Sequence, residues 1–320
     1  MTSTPPTDSI LIDWGTTNAR AYRLVQGKAG PDKAVHERRR LPRGIRQVPE
    51  GGFPAALAEL LGPWLEDAAL PPRILMSGMV GSRQGWVEAP YRPCPARPAD
   101  LAANLCAVPG LPRAHIVPGV CRGGEGAPHD VIRGEEVQVF GAVDGATTAV
   151  LCLPGTHSKW VRYADGALVD FATAMTGEVF QVLRSHSLLG ALMPAAAAAF
   201  EEAAASGVVA EAFRRGLDRS EEPGGLLHHL FGVRAEGLFG VIPSDGLEAY
   251  LSGLLIGHEI RAMAGLFPTA DPVRLVADGT LAGLYTTAFR HLGRAVETAD
   301  AEAATIRGLT RILEQAGALA

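Results

Sequence analysis

The chain has 320 residues, which is enough for one large domain or two smaller ones. It is 47% hydrophobic and 20% charged, so it can bury large cores and does not have the composition of a disordered protein. Its formal net charge of −5 argues against a nucleic-acid groove or an anionic membrane surface as its main partner.

The N-terminal residues and the cysteines narrow the class of protein further. The opening MTSTPPTDSI lacks the basic and apolar regions of a signal peptide, and no apolar run of about 18 residues predicts a membrane span. The four cysteines form no CxxC pair, which predicts free thiols in a reducing cytoplasm and argues against structural zinc. We therefore expect a cytoplasmic protein that binds neither membranes nor nucleic acid.

The first half of the chain alternates short apolar strands with helical segments. Residues 10–24 (ILIDWGTTNARAYRL) predict a strand, a tight turn and a second strand, and residues 53–67 have helical apolar spacing. The segment RILMSGMVGSRQGW predicts a strand that runs into a glycine-containing turn. Farther along, the pattern predicts a short helix at 98–108, a strand at 116–120 and a helix at 130–143.

The second half begins near residue 146 with three predicted strands, and Asp165-Gly166 marks a hairpin turn among them. Asp245 with Glu248 resembles a capping box at the start of a helix. The other predicted elements are helices at 178–190, at 195–207 (alanine-rich, ended by Gly207), in two pieces across 211–240, at 280–292 and at about 300–316, with a strand at 273–279. Because the strands come in hairpins before the helices, we predict an α/β fold with mixed sheets.

A repeat relates the two halves of the chain. Residues 10–24 and 150–163 (VLCLPGTHSKWVRY) align on Gly15 and Gly155, and each has an apolar strand, a Gly-Thr turn, a polar residue and a second strand. The repeat predicts two similar lobes, which we place at 1–143 and 144–320.

Turns of this composition can bind phosphate, because glycine allows close approach, successive N–H groups form an anion nest and hydroxyls add donors. We interpret the two turns as gripping the phosphates of one nucleotide, with Asp13 holding Mg²⁺ through water. The alternative is a pair of ordinary hairpins, since short motifs often match by chance. The predicted phosphate ligands are Gly15, Thr16, Thr17, Gly155, Thr156, His157, Ser158 and Lys159.

Three motifs resemble those of the sugar kinase, heat-shock protein 70 and actin superfamily. DWGTTNARAY resembles its first phosphate motif, PGTHSKW its second and LVADGTLAGLYTTAF its adenosine motif. This resemblance implies a two-lobed actin-like ATPase (ribonuclease H-like) fold, with mixed sheets flanked by helices and a cleft between the lobes. It also implies that Gly279 and Gly283 lie under adenine, although small residues that pack at a helix start are the alternative.

The second phosphate motif departs from the superfamily pattern. Leu153-Pro154 stands where an acid is often found. We therefore expect metal handling to rest on the first lobe and Lys159 to supply charge in the second.

Five segments together are similar to the 2-keto-3-deoxygalactonokinase family: DWGTTNARAY, SGMVGSRQGWVEAPYRPCPA, DVIRGEE, LPGTHSKW and AMTGEVFQVLRSHSLLG. The resemblance implies that ATP, with Mg²⁺, phosphorylates the 6-hydroxyl of 2-dehydro-3-deoxy-D-galactonate to give 2-dehydro-3-deoxy-6-phosphogalactonate in galactonate catabolism. The sequence does not choose between this small sugar acid and its gluconate-derived epimer. The oligomeric state also stays open, although cytosolic sugar kinases are often homodimers.

The reaction needs a general base, because a sugar hydroxyl is a poor nucleophile. Glu135 and Glu136 resemble the glutamates of the SG-x-EE segment of exopolyphosphatases in the same superfamily, and Glu136 aligns better. Asp13 is the other candidate base. The alternative for the two glutamates is a solvated acidic turn of a helix.

The carboxylate of the sugar acid requires arginine or backbone amides. We expect the acid to bind in the loop at 77–86, with Thr176 and Glu178 as additional hydroxyl contacts. The alternatives are a surface position for Arg20 and a helix N-terminus that by itself explains Thr176 and Glu178. The predicted substrate residues are Arg20, Ser77, Gly78, Gly81, Ser82, Arg83, Gln84, Thr176 and Glu178.

Two further functions fit parts of the pattern. A polyphosphate or nucleotide phosphohydrolase of the same fold would use the RGEE segment but leaves the SGMVGSRQGW loop without a role. A chaperone-like or actin-like switch expects long insertions or a partner domain, for which 320 residues leave little room. The sequence therefore predicts a sugar-acid kinase, with a kinase for another 2-keto-3-deoxy acid as the alternative within that class.

Overall fold

The computed structural model describes residues 9–24, 35–65, 73–124, 127–145, 147–194 and 207–318. None of the helices in these ranges is long and apolar enough to cross a membrane. The strands are Ser9–Trp14 (β1), Ala19–Leu24 (β2), Val35–Leu41 (β3), Arg73–Ser77 (β4), Tyr91–Pro93 (β5), Cys106–Val108 (β6), Leu111–Ile116 (β7), Gly119–Gly124 (β8), Ala127–Ile132 (β9), Ala149–Leu153 (β10), Ser158–Ala164 (β11), Ala167–Ala174 (β12), Val273–Val276 (β13) and Val296–Ala299 (β14). The α-helices are Phe53–Leu61 (α1), Pro98–Ala102 (α2), Glu135–Ala142 (α3), Thr176–His186 (α4), Gly207–Glu221 (α5), Gly225–Leu238 (α6), Leu247–Leu266 (α7), Gly279–His291 (α8) and Ala301–Ala318 (α9).

The chain forms two compact units. The first comprises Met1–Thr148, Tyr163–Asp170 and Ala301–Ala320, and the second comprises Ala149–Arg162 and Phe171–Asp300. The division is therefore not a single cut in the sequence, and the predicted lobes at 1–143 and 144–320 stay a prediction drawn from the repeat.

The main sheet of the first unit has the strand order β3-β2-β1-β4-β7-β6. β1 pairs antiparallel with β2 and parallel with β4, and β4 pairs parallel with β7. Ile10, Ile12 and Trp14 alternate along β1 into one core with α1, while Leu11 is equally buried on the other side. Because β1 and β4 run in the same direction, their carboxyl ends meet at one edge of the sheet.

The sheet of the second unit repeats the same plan. Its order is β12-β11-β10-β13-β14, with β13 parallel to both β10 and β14. In each sheet the first strand of the repeat lies beside the second strand on one side and a later parallel strand on the other. A third sheet, β5-β8-β9, is mixed as well, since β8 pairs parallel with β5 and antiparallel with β9. The predicted α/β class with mixed sheets is confirmed.

Several predicted element boundaries are wrong. The helix predicted at 98–108 ends at Ala102, and β6 follows it. The helix predicted at 130–143 is two elements, because Gly134, at φ 110°, separates β9 from α3. No side chain caps α7, which begins after Gly246, so the predicted capping box does not form.

The predicted alanine-rich helix at 195–207 lies outside the described residues except for its last position. Gly207, which was expected to end that helix, is instead the first residue of α5.

Helices α5 and α7 approach each other through glycines in the second unit. A Cβ at Gly253 would lie 2.1 Å from the carbonyl oxygen of Phe213, and a Cβ at Gly216 would lie 2.2 Å from that of Tyr250. No side chain fits between backbones at these distances, so the two glycines set the spacing of the helices.

We expect Gly253→Ala to lower the free energy of unfolding by about 2 kcal/mol or more, because the added methyl group must push α5 away from α7. Gly265→Ala, on the same helix, is the matched control, since a Cβ there would meet no atom. That control should raise stability by about 0.5–1 kcal/mol through helix propensity. Urea denaturation followed by circular dichroism measures both changes, and equal effects of the two substitutions would contradict the spacing role.

Candidate active site

Asp13 lies near the carboxyl end of β1, at the sheet edge where the parallel strands end. In register, it stands opposite Arg20 on β2 and Ser77 on β4. Directly opposed residues project from the same face of a sheet, so the three side chains form a row. Asp13 and Arg20 are half-buried and Ser77 is buried. The predicted metal ligand therefore lies beside two of the predicted substrate residues.

Two glycines bring the RGEE segment to this row. Gly78 has φ 90°, and a Cβ there would lie 2.9 Å from the carbonyl oxygen of Trp14 and 3.3 Å from Oδ1 of Asp13. Gly134 has φ 110°, and a Cβ there would lie 3.1 Å from Cα of Gly78. Glycine adopts positive φ angles easily, and it has no Cβ to collide at these short distances. Both positions therefore require glycine.

The two glutamates that follow Gly134 have different environments. Glu136 is 0% exposed, and both of its carboxylate oxygens accept from the N–H of Gly134, at 2.9 and 2.7 Å. Glu135 is half-buried, and its Oε2 accepts from the N–H of Arg133 at 3.0 Å. Glu136 is thus no solvated surface residue, and Glu135 is the more accessible of the two.

Asp13, Glu135 and Glu136, which we call the acidic centre, bring three carboxyl groups into one region of the first unit. Burial raises the pKa of Asp13 to about 6, a net shift that Arg20 opposes and the charge of Glu135 reinforces. Burial, with a contribution from Glu135, raises the pKa of Glu136 to about 8. A cation bound here would offset this unfavourable concentration of negative charge.

The donor set suits magnesium better than a metal held wholly by protein. Among the residues that the structure describes, no group of three or more His, Cys, Asp or Glu side chains is arranged to hold a metal ion. Mg²⁺ usually keeps several waters and takes one or two carboxylates together with substrate phosphates. Asp13, with Glu135 nearby, fits that pattern.

The loop at Gly44 packs against the first glycine turn. The carbonyl of Gly15 accepts from the N–H of Ile45 at 3.1 Å, and a Cβ at Gly44 would lie 2.2 Å from the carbonyl of Thr16. Thr16 is half-buried and Thr17 is exposed. Sequence analysis missed Gly44, which is separated along the chain from the motif that it supports.

The predicted substrate loop folds on itself and leaves few side chains free. Ser82 is buried, and its hydroxyl donates to the carbonyl of Met79 at 2.8 Å. Gly81 is also buried, whereas Arg83 and Gln84 are exposed. The side chain of Arg83 is 82% exposed, and its ion pair with Glu88 spans 3.4 Å. Arg83 and Gln84 are thus the most exposed side chains of this loop.

Arg133 is a supporting residue that sequence analysis missed. Its guanidinium is buried, lies 4.3 Å from the ring centre of Tyr91 and donates to the carbonyl of Ala89 at 2.8 Å. A Cβ at Gly81 would lie 3.0 Å from its Nη1. Arg133 therefore connects the RGEE segment to the substrate loop. Its position directly before the GEE residues was the available signal.

In the second unit, the first turn of α4 packs on the second glycine turn. A Cβ at Gly177 would lie 2.4 Å from the carbonyl oxygen of Gly155. The N–H of Glu178 donates to the carbonyl of Thr156 at 2.9 Å, and its carboxylate contacts Nε2 of His157. Met175 occupies the N-cap position of α4, and its side chain does not cap the helix. Thr176 is already the first residue of the helix, so an N-cap role does not explain it.

Two of the predicted phosphate ligands point into the unit. Ser158 is buried, with its hydroxyl 3.1 Å from that of Tyr285, and the Nζ of Lys159 donates to the Thr173 hydroxyl at 2.9 Å. Thr156 and His157, in contrast, are exposed. The accessible donors of this turn are therefore its backbone N–H groups and the side chains of Thr156 and His157.

A cavity of about 390 Å³ opens beside the second glycine turn, within the second unit. It lies among the turn, α4, α7 and α8, and its floor is largely apolar. Its lining residues are Gly155, Thr156, Thr176, Gly177, Phe180, Gln181, Glu248, Ser252, Leu255, Ile256, Leu281, Leu284 and Tyr285.

Gly279 and Gly283 line a second cavity, of about 630 Å³, on the neighbouring side of α8. A Cβ at either glycine would meet no atom within 4 Å. Gly279, at φ 55°, is needed for its backbone angle, but Gly283 is not required for packing. The packing alternative for Gly283 therefore finds no support in its surroundings.

The comparisons with known proteins agree with one another. Residues 13–312 match the family model described as 2-keto-3-deoxy-galactonokinase. The chain belongs to this family. It is 36% identical to the 2-dehydro-3-deoxygalactonokinase of Escherichia coli (strain K12), over 95% of this chain and 96% of that protein. It is 38% identical to DgoK1 of Rhizobium meliloti (strain 1021), which is provisionally assigned the same activity, over 93% and 94% of the two chains.

A solved structure extends the family match to three dimensions. A crystal structure from Sinorhizobium meliloti, which carries 2-dehydro-3-deoxygalactonokinase as a provisional name, superposes with a TM-score of 0.81 at 35% identity. The match covers 96% of this chain and 98% of that one. The predicted membership of the 2-keto-3-deoxy-galactonokinase family is therefore confirmed.

The burial of Glu136 predicts a pH-dependent stability. The pKa of this carboxyl is near its ordinary value of 4.5 in the unfolded chain and is raised to about 8 in the folded protein. The stability that it contributes is present below the lower value and is lost as pH rises through the higher one. We expect the stability of Glu136→Gln relative to the wild type to increase between about pH 5 and about pH 9.

Urea denaturation at several pH values measures this difference. Glu50→Gln, an exposed position in the same unit, is the control and should leave the difference flat. A flat difference for both variants would mean that Glu136 is not desolvated in the folded protein.

Proposed function

We propose that the chain transfers the γ-phosphoryl group of ATP to the 6-hydroxyl of 2-dehydro-3-deoxy-D-galactonate. The product is 2-dehydro-3-deoxy-6-phosphogalactonate, an intermediate of galactonate catabolism. Membership of the family over residues 13–312 is the observation that carries the proposal. The chain is thus a sugar-acid kinase, and the sites of its two units supply the groups that such a reaction requires.

The acidic centre of the first unit provides the metal ligand and the base. Asp13 would hold Mg²⁺ with several waters, and the ion when bound neutralises charge on the transferred phosphoryl group. Glu135 is half-buried, so it has the access that a general base needs. Its charge acts on Asp13, which places it near the proposed metal ligand. The burial of Glu136 favours a supporting role for that residue, in which it holds the N–H of Gly134.

The second unit provides the nucleotide donors. The exposed Thr156 and His157, together with the backbone N–H groups of their turn, are suited to phosphate. The cavity beside this turn, with its polar end and apolar floor, suits the rest of a nucleotide. Gly279 and Gly283 line the second cavity, which is the alternative place for the adenosine. We favour the cavity beside the turn, because the phosphate donors line it.

The sugar acid is proposed to bind at the substrate loop of the first unit. Arg83 is exposed and its ion pair with Glu88 is long, so exchange of that partner for a substrate carboxylate is inexpensive. Gln84 is exposed beside it and can hydrogen-bond a hydroxyl. Arg20 is already coupled to Asp13, which makes it the weaker candidate for the carboxylate.

The decisive test is a coupled ADP-release assay with a panel of 2-keto-3-deoxy sugar acids in the presence of Mg²⁺. We expect ADP release to rise steeply with the galactonate-derived acid, and Asp13→Asn to lower kcat/KM about a hundredfold or more by removing charge stabilisation. Glu50→Gln should behave as the wild type.

The same assay separates the alternative functions. ADP release that is indifferent to every sugar acid would favour a phosphohydrolase or a nucleotide switch and would overturn the proposal. A preference for the gluconate-derived epimer would keep the kinase but change its substrate.

We also propose a homodimer in the cytoplasm. The four cysteines are free thiols, which fits a reducing compartment. On α6, Leu227 and Phe231 are 87% and 66% exposed, and Leu238 continues the same stripe at helical spacing. Exposed apolar stripes of this kind support association between proteins.

Sedimentation velocity tests the dimer. We expect the wild type to sediment as a dimer and Phe231→Glu to sediment as a monomer, because a buried charge without a partner disfavours the interface. Glu221→Gln, an exposed change on the preceding helix, is the control. A monomeric wild type would exclude the proposed homodimer.

A further inference from the structure

Glu259 is a buried carboxylate of the second unit to which neither the sequence analysis nor the proposed reaction gives a role. It lies on α7 and is 5% exposed. Its Oε1 accepts from Nε1 of Trp160 at 2.9 Å, and its Oε2 accepts from the Tyr285 hydroxyl at 2.7 Å. The Thr176 hydroxyl donates to the same carboxylate. Glu259 thus joins donors from three other secondary-structure elements.

The hydrogen bonds around Glu259 have a defined direction. Because the single hydroxyl hydrogen of Tyr285 goes to Glu259, the hydroxyl of Ser158, 3.1 Å from that of Tyr285, gives its hydrogen to the Tyr285 oxygen or to the Glu259 carboxylate. We call Ser158, Trp160, Thr176, Glu259 and Tyr285 the Glu259 network. Every hydroxyl hydrogen in this network is used internally, so none of its hydroxyls is free to donate to a ligand.

The Glu259 network lies directly behind the cavity of the second unit. Thr176 and Tyr285 line that cavity, and Ser158 follows the glycine turn that lines it too. Gly177, the neighbour of Thr176, packs on the carbonyl of Gly155. A shift of the Glu259 carboxylate would therefore move both the turn and the first turn of α4.

The environment of Glu259 makes such a shift unfavourable. Burial raises the pKa of Glu259, while the hydrogen bonds from Thr176, Tyr285, Trp160 and Ser158 oppose that rise. A buried carboxylate that loses a donor is left with an uncompensated desolvation penalty. The carboxylate and its donors therefore hold one another in a single arrangement.

We infer that Glu259 is a positioning residue for the nucleotide, acting through Ser158 and Thr176 on the glycine turn and on α4. Glu259 itself does not touch the nucleotide. The inference rests on the proposed function in one respect only, namely that a nucleotide occupies the cavity beside the turn.

The test compares substitutions that each remove one hydrogen bond of the Glu259 network. Glu259→Gln replaces one acceptor oxygen by an amide nitrogen, so either Trp160 or Tyr285 loses its acceptor. Thr176→Val removes a single donor with little change of shape and serves if the first variant fails to fold. Glu297→Gln, an exposed position on β14 outside the network, is the matched control.

Two measurements are made on each full-length variant. Calorimetry gives the Kd for ADP, and the coupled assay gives the KM values for ATP and for the sugar acid. We expect Glu259→Gln and Thr176→Val each to raise the Kd for ADP and the KM for ATP about tenfold, the effect of one lost hydrogen bond to a charged group. The KM for the sugar acid should stay within about twofold of the wild type, and the control should leave all three constants unchanged.

The combined Glu259→Gln/Thr176→Val variant tests the network itself. If both residues act through one arrangement, the double variant should bind ADP no more than about twofold weaker than the worse single variant. Effects that multiply would show independent roles and overturn the inference.

A purely structural role predicts a different result. Lower thermal stability with wild-type Kd for ADP and wild-type KM for ATP would overturn the inference while leaving the proposed function intact. A wild type that binds ADP but phosphorylates no sugar acid would overturn the proposed function alone, and the Kd for ADP would still test Glu259.

Discussion

A carboxylate removed from water must find donors or an opposite charge, and this constraint organises the sites of both units. In the first unit the buried Glu136 takes the N–H of Gly134 with both oxygens, which fixes the turn before α3. In the second unit Glu259 takes donors from β11, α4 and α8. Among the residues that the structure describes, each unit thus has one deeply buried acid, and it holds the backbone around its site in place.

Contacts between glycines and backbone complete the two sites in a similar way. Gly134 packs on Gly78 in the first unit, and Gly177 packs on Gly155 in the second. In both cases a turn after a central strand meets the start of a helix with no side chain between them. The repeat that is visible in the sequence is therefore accompanied by a shared way of joining strand and helix, although the residues that perform it differ.

The sequence predicted the features that local patterns encode. The two glycine turns, the mixed sheets and the position of Asp13 at a strand end follow from short motifs and apolar spacing. The boundary at Gly134 was missed because the apolar residues on its two sides continue a helical pattern. Its positive φ is a property of the folded backbone that this pattern does not reveal.

Burial is harder to predict, because it depends on partners distant in the chain. Ser158 and Lys159 are consecutive residues of β11 and are both buried, which departs from a strict alternation of inward and outward side chains. Glu259 meets Trp160, 99 residues away, and its place in an apolar helix gave no hint of that partner. Motif alignment favoured Glu136 over Glu135, but alignment carries no information about access to solvent.

Helix α9 has a consequence for how the protein is made. Although it follows every strand in the chain, it packs on α3, where a Cβ at Gly308 would lie 1.9 Å from the carbonyl of Val137, and its Arg311 donates to Asp144 at 2.6 Å. The first unit therefore stays incomplete on the ribosome until the second has been synthesised, because α3 packs against α9 only after α9 has been made. The unit whose synthesis begins first is therefore also the unit whose last helix is synthesised last.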